Sequence, residues 1–384
     1  MTDLEIDCAA CGARYSAYVE ACPSCRAPNP YIGVKSRKGL YQAMAIGAGV
    51  AAIIAALFVF PNLIVGGRGV EGGPLGSTVN ILRPQAEAPS ALPQDELMQG
   101  ALDAINKDRR EFGLPLVKLS KNSAAQLHAE DVFKTKQISH WTTDGEKPYM
   151  TYTNHGGTGS VHQNVAIAGF GPDEYDNCSA LMIICERIDP ISTIKELEYE
   201  MMNNDEDCCD NGHRENILDP RHTHVSIGIS YDSYYLSLVQ NFENNHGLDI
   251  TVDEGYVSII GDMPKGAELD HVVVYYDKLP TAAAYEANKK MISYSTGEIA
   301  ASVFKPLPDG LRYQQPRDYV VIEADGWVKN GALDVSFDLE PAVRQPGVYT
   351  LYTMLKDEVD DNGGEQFGIT SYSVFVESVE KPDQ

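Results

Sequence analysis

The sequence predicts an α+β chain: a metal-nucleated knob over 1–30, one membrane-spanning helix over 40–65, a mixed helix–strand domain over 94–246, and an all-β, immunoglobulin-like sandwich over 247–380. Three observations carry that prediction. An uncharged apolar block divides the chain, two Cys-x-x-Cys pairs precede it, and the hydrophobic period shifts from helical toward strand spacing on the way to the C-terminus. A length of 384 residues with 43% hydrophobic content supports two to three cored domains and excludes wholesale disorder.

The first element is the knob. Cys8-Ala-Ala-Cys11 and Cys22-Pro-Ser-Cys25 place four thiolates on two tight knuckles, the spacing of a tetrahedral Zn²⁺ site in a zinc ribbon. So short a segment cannot build much of a core, so the metal would supply its folding energy. A disulfide or redox use of these cysteines is the alternative.

The second element is residues 40–60, LYQAMAIGAGVAAIIAALFVF, followed by PNLIV. A bilayer core needs about 20 apolar residues in a helix, and a signal-peptide core is shorter and nearer the start. A buried core helix is the alternative; the run has no polar face and a glycine tract follows it. Charge orients it. Lys35, Arg37 and Lys38 precede the block and only Arg68 follows closely, so the N-terminus is expected in the cytoplasm and residues 66–384 outside the cell membrane. The knob would then meet a cytosolic protein partner in a reducing compartment. The chain has 30 Lys plus Arg against 55 Asp plus Glu, a net charge of −25, and lacks the basic footprint of a nucleic-acid binder.

Residues 66–93 are a Gly/Pro-rich linker. Beyond it, Leu97, Ala101, Leu102 and Ile105 share one face of a helix over 95–112, stopped by Gly113 and Pro115. A second helix is expected from about Ser120, with Leu127, Val132 and Phe133 as its core stripe, and a third over 193–205. Strands follow at 225–231 and 234–242, so a sheet sandwiched by helices is expected. The C-terminal part alternates apolar and polar residues over 270–277, 318–328, 332–339, 347–357 and 369–377, with one short helix over 283–293. The acidic run 357–364 lacks EF-hand spacing and reads as a hairpin loop. Cys178, Cys185, Cys208 and Cys209 lie on the outer side, where disulfides persist; two bridges joining 178/185 to 208/209 are favoured over a second metal site, because adjacent cysteines are poor zinc spacing. Asn177 opens a glycosylation sequon.

The motifs of the middle domain come in a recognisable order: INKDRREFGLPLVKLSKNSAAQLHAED (105–131), ISHWTTDG (138–145), HQNVA (162–166), GHRENILDP (212–220), VSIGISYD (225–232) and LVQNFE (238–243). This resembles the CAP superfamily of cysteine-rich secretory, antigen 5 and pathogenesis-related 1 proteins, whose domain is also called SCP, in its prokaryotic form. The resemblance implies an α-β-α sandwich with a cleft holding two histidines and two acidic residues. By position the histidines are His140 and His213. Gln163 stands where the family has the Glu of a GEN triplet, and Glu200 is the best match to the second acid, with Glu198, Asp205 and Asp207 as rivals.

Two imidazoles and a carboxylate can bind a divalent cation such as Zn²⁺ or move protons near neutral pH; alternatively the histidines fix loops. Gln163 is a poor base and a weak ligand, which counts against hydrolysis through a carboxylate pair. His128 reads as a core-edge residue of the second helix. His222 and His224 alternate, as a metal pair or a surface strand would, and His155 and His162 flank a flexible glycine run. No nucleophile-elbow, zincin or catalytic-cysteine signature is visible. Three functions follow as expectations: a surface domain binding a lipid-like, glycan or peptide ligand in its cleft; a peptidase-like hydrolase using His140, His213 and Glu200; or a signalling anchor whose zinc knob docks a cytosolic partner.

Overall fold

The structure is a computed structural model. It describes residues 92–169, 187–357 and 365–379, with 171, 175, 176, 178 and 185 in the intervening loop and short stretches between 5 and 26. The chain forms two compact units, Met1–Gln85 and Ala86–Gln384. The apolar block 40–65, the linker 66–91, Cys8 and Cys22 lie outside the described residues. Among the described residues no helix is long and apolar enough to cross a membrane.

In the first unit β1 (Glu5–Asp7) pairs antiparallel with β2 (Arg14–Ser16), Ile6 opposite Tyr15. Cys11 lies between the two strands and Cys25 in a later turn, both with exposed side chains.

The second unit begins with α1 (Gln94–Glu111), whose first turn carries Asp95 and Glu96 and whose last carries Arg109 and Arg110, complementing the helix dipole at both ends. Gly113, at φ 69°, ends it as expected. The second helix starts later than the sequence suggests. Lys118–Leu119 (β3) pair with a later strand and the Ser120 N–H donates to the Val225 carbonyl, so the chain is still extended there. Asn122 Oδ1 then accepts the Ala124 N–H (3.0 Å), and α2 runs Ala124–Thr135. Its buried stripe is Ala125, His128, Ala129 and Val132, while Leu127 is 44% exposed. The small side chains bring the helix close to the sheet. Opposite them stands Gly228, where a Cβ would lie 2.0 Å from the Ala125 carbonyl oxygen.

α3 (Pro148–Asn154) and β4 (Ser160–Gly169) follow, then α4 (Pro190–Asn203), whose N-cap Asp189 accepts from the Ser192 N–H. α5 (Glu206–Cys209), α6 (Gly212–Leu218), β5 (His224–Tyr231) and β6 (Tyr235–Asn244) complete the region. The sheet order is β3-β5-β6-β4, with only β3 parallel to its neighbour. Strand alternation sends Val165 and Val239 to α2 on one face, and Val225, Ile227 and Phe242 to α1 and α4 on the other, giving three α-β-α layers.

The C-terminal part comprises β7 (Asp249–Asp253), β8 (Tyr256–Gly261), β9 (Ala267–Asp277), α7 (Ala282–Asn288), β10 (Glu298–Phe304), β11 (Val320–Glu323), β12 (Gly326–Lys329), β13 (Ala332–Asp338), β14 (Gly347–Asp357), β15 (Gln366–Gly368) and β16 (Tyr372–Val376). One sheet runs β11-β10-β9-β14, with β15 and β16 both on β14; the other runs β12-β13-β8-β7. Val257, Ile259, Val335 and Phe337 of the second sheet share a core with Val272, Val274, Val303 and Leu351 of the first. This part is fused to the α-β-α layers. Val348 is buried with Tyr149, Met150, Tyr152 and Val161, and the Ser371 N–H donates to the Gly159 carbonyl.

The favoured cysteine pairing is corrected. Cys178 pairs with Cys185 (Cα–Cα 5.6 Å) and Cys208 with Cys209 (Cα–Cα 3.8 Å). Each partner is the nearest in sequence, seven residues apart in the first pair and adjacent in the second.

Candidate functional site

His140 sits in the loop between α2 and α3, its Nδ1 3.0 Å from Gln163 Oε1 on β4. Gln163 is 4% exposed and donates its amide nitrogen to Asn241 Oδ1 (3.1 Å), its direct cross-strand partner on β6. That bond turns the Gln163 carbonyl toward His140, whose Nδ1 donates to it, and the same ring is also hydrogen-bonded to the Ile292 backbone. Burial pushes the His140 pKa down to about 4; the Gln163 bond opposes the shift, and the neighbouring His128 and His213 add to it. His140 is therefore neutral at pH 7. His128 is itself buried and depressed by burial, and is tied to the Ser139 carbonyl at 2.8 Å.

His213 is the second residue of α6, and its acid is Asp205. Asp205 Oδ1 lies 2.6 Å from His213 Nδ1, and Asp205 Oδ2 accepts the backbone N–H groups of His213 (2.8 Å) and Arg214 (3.2 Å). The carboxylate is 3% exposed and holds both the imidazole and the start of α6. Asp210 and Asn211, both at positive φ (53° and 65°), fold the connection back so that this reach is possible. Glu200 does not join the cleft: it is exposed on α4 and accepts from Asn204 Nδ2. Asp207 is exposed, and Glu198 is buried against Gln240 Nε2 (2.6 Å). The sequence places Asp205 among the rivals to Glu200, and the run of acids and cysteines before His213 spoils the count that would have singled it out.

His140 and His213 line one cavity of about 260 Å³ with Ile138, Val165 and Cys209. Lys290, Met291 and Ile292, from the segment after α7, form its other wall. Tyr294 packs its ring edge-on against His140, with centroids 5.1 Å apart. Sequence reasoning missed this wall because it comes from the C-terminal part. The lining is mainly apolar, with two imidazoles. Its hydroxyl, Ser139 Oγ, accepts the Trp141 N–H at 3.0 Å. The donor atoms of Asp205, Cys208, Cys209 and His213 lie within 4.8 Å of one another, so this corner becomes a metal-ligand set if the cysteine pair is reduced. An Asp-held histidine can also act as a general base on water.

The family model described as CAP, the cysteine-rich secretory protein family, matches residues 102–242. That stretch, from within α1 to within β6, contains His140, Gln163, Asp205 and His213, and it is a CAP domain. A solved structure of an extracellular protein containing an SCP domain, from Bacillus anthracis str. Ames, is similar at 21% identity, covering 40% of this chain and 44% of that one, with a TM-score of 0.26. The likeness thus spans less than half of that protein's length. No curated protein matches the chain.

Proposed function

We propose that the CAP domain is an outward-facing binding module, tethered by the apolar block 40–65, that takes a small apolar group of a lipid-like ligand into the His140/His213 cleft. The observation that carries this reading is the cavity of about 260 Å³ lined by Ile138, Val165, Met291 and Ile292, with two imidazoles supplying directional contacts. Its volume matches that of about nine waters. The His213 imidazole has Nδ1 engaged by Asp205, which leaves its Nε2 to accept a hydroxyl from the ligand or to hold a divalent cation. On this reading the N-terminal cysteines hold Zn²⁺ on the cytoplasmic side and dock a protein partner. Hydrolysis is the second reading, favoured by the 2.6 Å Asp205–His213 pair.

The test is photo-crosslinking of the full-length chain in nanodiscs with an alkyl diazirine fatty acid. The binding reading expects label on peptides carrying Ile138–His140 or Lys290–Ile292, abolished by Val165→Trp, which fills the cavity. Label confined to 40–65, or unchanged by Val165→Trp, rejects it. Turnover of ester or peptide substrates that vanishes with His213→Ala would instead favour the hydrolase.

A further inference from the structure

On the opposite face of the sheet from the cleft, a second pair of histidines meets a carboxylate. Successive β4 side chains alternate, so His162 projects away from its neighbour Gln163. Its ring stands edge-on to His222, with centroids 5.4 Å apart. The His222 side chain is fully buried and stacks on Phe242 (5.3 Å). His222 Nδ1 lies 2.7 Å from Asn244 Oδ1. Asn244 donates its amide nitrogen to the Gly368 carbonyl (2.9 Å), which turns its oxygen toward His222 and places the imidazole proton on Nδ1. The Nε2 lone pair is thus presented bare, and among the described residues it has no hydrogen-bond partner. Asp219 completes the group. Its Oδ1 accepts the Arg221 N–H (2.8 Å), and its Oδ2 lies 4.0 Å from His222 Nε2.

We propose that His162, His222 and Asp219 form a divalent-cation site, separate from the cleft, that takes Zn²⁺ or a similar borderline first-row metal. The donor atoms of all three lie within 4.8 Å of one another. A tetrahedral Zn²⁺ with bonds of about 2.1 Å sets its ligands about 3.4 Å apart, so closure needs side-chain shifts of about 1 Å. His162 can supply that shift, since neither of its ring nitrogens is hydrogen-bonded among the described residues. Two imidazoles and one carboxylate leave a coordination position for water or an exogenous ligand. Asn244 has the role that an outer partner takes at such centres, fixing the tautomer and the ring plane. Asp219 lines a surface depression with Arg221 and Glu365.

Charge and protonation fit a cation. Burial holds both histidines below the ordinary imidazole value, with the neighbouring His162 contributing at His222. Arg109 opposes the cation, but its guanidinium donates to the backbone carbonyls of Pro115, Ile217 and Asp219, and so sets the turn that presents the carboxylate. Because Asn244 also ties this corner to Gly368 on β15, occupancy should stabilise the junction between the CAP domain and the C-terminal sheets.

The test is Co²⁺ and Zn²⁺ titration of the metal-stripped full-length chain, followed by absorption and by the melting temperature. The proposal expects one equivalent with ligand-field bands but no thiolate charge transfer, unaffected by Cys25→Ser or His213→Ala, together with a metal-dependent rise in melting temperature. His222→Phe, which keeps the stack on Phe242, should weaken this equivalent at least 100-fold. Asp219→Asn, which keeps the Arg221 bond, should weaken it at least 10-fold. Should the Phe variant fail to fold in the absence of metal, His162→Gln and Asp219→Asn decide. Affinity unchanged within threefold in the folded variants overturns the proposal, as does an equivalent lost with His213→Ala and kept with His222→Phe.

Discussion

Gln163→Glu is the most informative single change in the cleft, because it restores a carboxylate 3.0 Å from an imidazole that now faces an amide oxygen. At a charge separation of about 4 Å and an effective dielectric constant of about 20, the new attraction is about 4 kcal/mol, or about three pKa units. Keeping the introduced carboxylate ionised at a position only 4% exposed cancels about one of those units. His140, now at about 4, should therefore rise to about 6. The sign for stability follows. In the parent chain the folded value lies below the unfolded 6.5, so stability is intact above pH 6.5 and falls as the pH drops toward 4, by about 3 kcal/mol from this residue. In the variant that loss shrinks to below about 1 kcal/mol. Hydrogen exchange at the imidazole C2 position, followed by mass spectrometry of the His140 peptide across pH, reads the midpoint directly. Denaturant unfolding at pH 7 and pH 4.5 reads the linkage. Cation affinity at the cleft should also rise about 10-fold. A midpoint moved by less than half a unit would refute the Gln163–His140 coupling on which the cleft's tautomers rest.

Other consequences are as direct. Burial raises Glu198 to about 8, so the folded chain holds a proton that the unfolded chain releases near 4.5; stability is intact below that pH and lost as pH rises toward 8, by about 3 kcal/mol at pH 7. Glu198→Gln, which can keep the bond to Gln240, should stabilise by about 1–3 kcal/mol at pH 7 and by almost nothing at pH 4.5 in urea unfolding; equal effects at both would contradict the raised value. Peptide mapping without reductant should find Cys178 bonded to Cys185 and Cys208 to Cys209, whereas a peptide joining the two pairs would restore the cross-linked pattern. Elemental analysis of the full-length chain should find zinc that is lost with Cys11→Ser or Cys25→Ser, and a content unchanged by both would remove the zinc ribbon.

What is legible in the sequence is whatever a period can encode. Leu97, Ala101, Leu102 and Ile105 read as one helical face and are all buried, and Leu333, Val335 and Phe337 read as one strand face and fill the core between the two C-terminal sheets. Local pattern misleads where tertiary contacts override it. Leu127 reads as core, yet α2 meets its sheet through Ala125 and Ala129, so His128 is buried and Leu127 is exposed. β4 does not read as a strand, because its His162-Gln163-Asn164 start is polar on both faces; those groups are satisfied or poised by partners far away in sequence, such as Asn241 and His140.

The two cleft histidines also differ in a way that no motif could show. His140 is held by an amide, sits in an apolar setting, and has its pKa depressed to about 4; it acts as an acceptor or a ligand and hardly ever as an acid. His213 is held by a buried carboxylate, which fixes the orientation of its ring through Nδ1. One imidazole is thus set against protonation by burial, and the other is anchored by a carboxylate. A metal bound between them would lean on both imidazoles, while the depressed value of His140 makes it a poor proton acceptor. His140→Gln should then abolish cation binding at the cleft but spare any His213-dependent turnover, whereas Asp205→Asn should reduce that turnover while leaving His140 at its low value. If both substitutions instead remove the same function to the same extent, the division of roles fails and the histidines act as one unit.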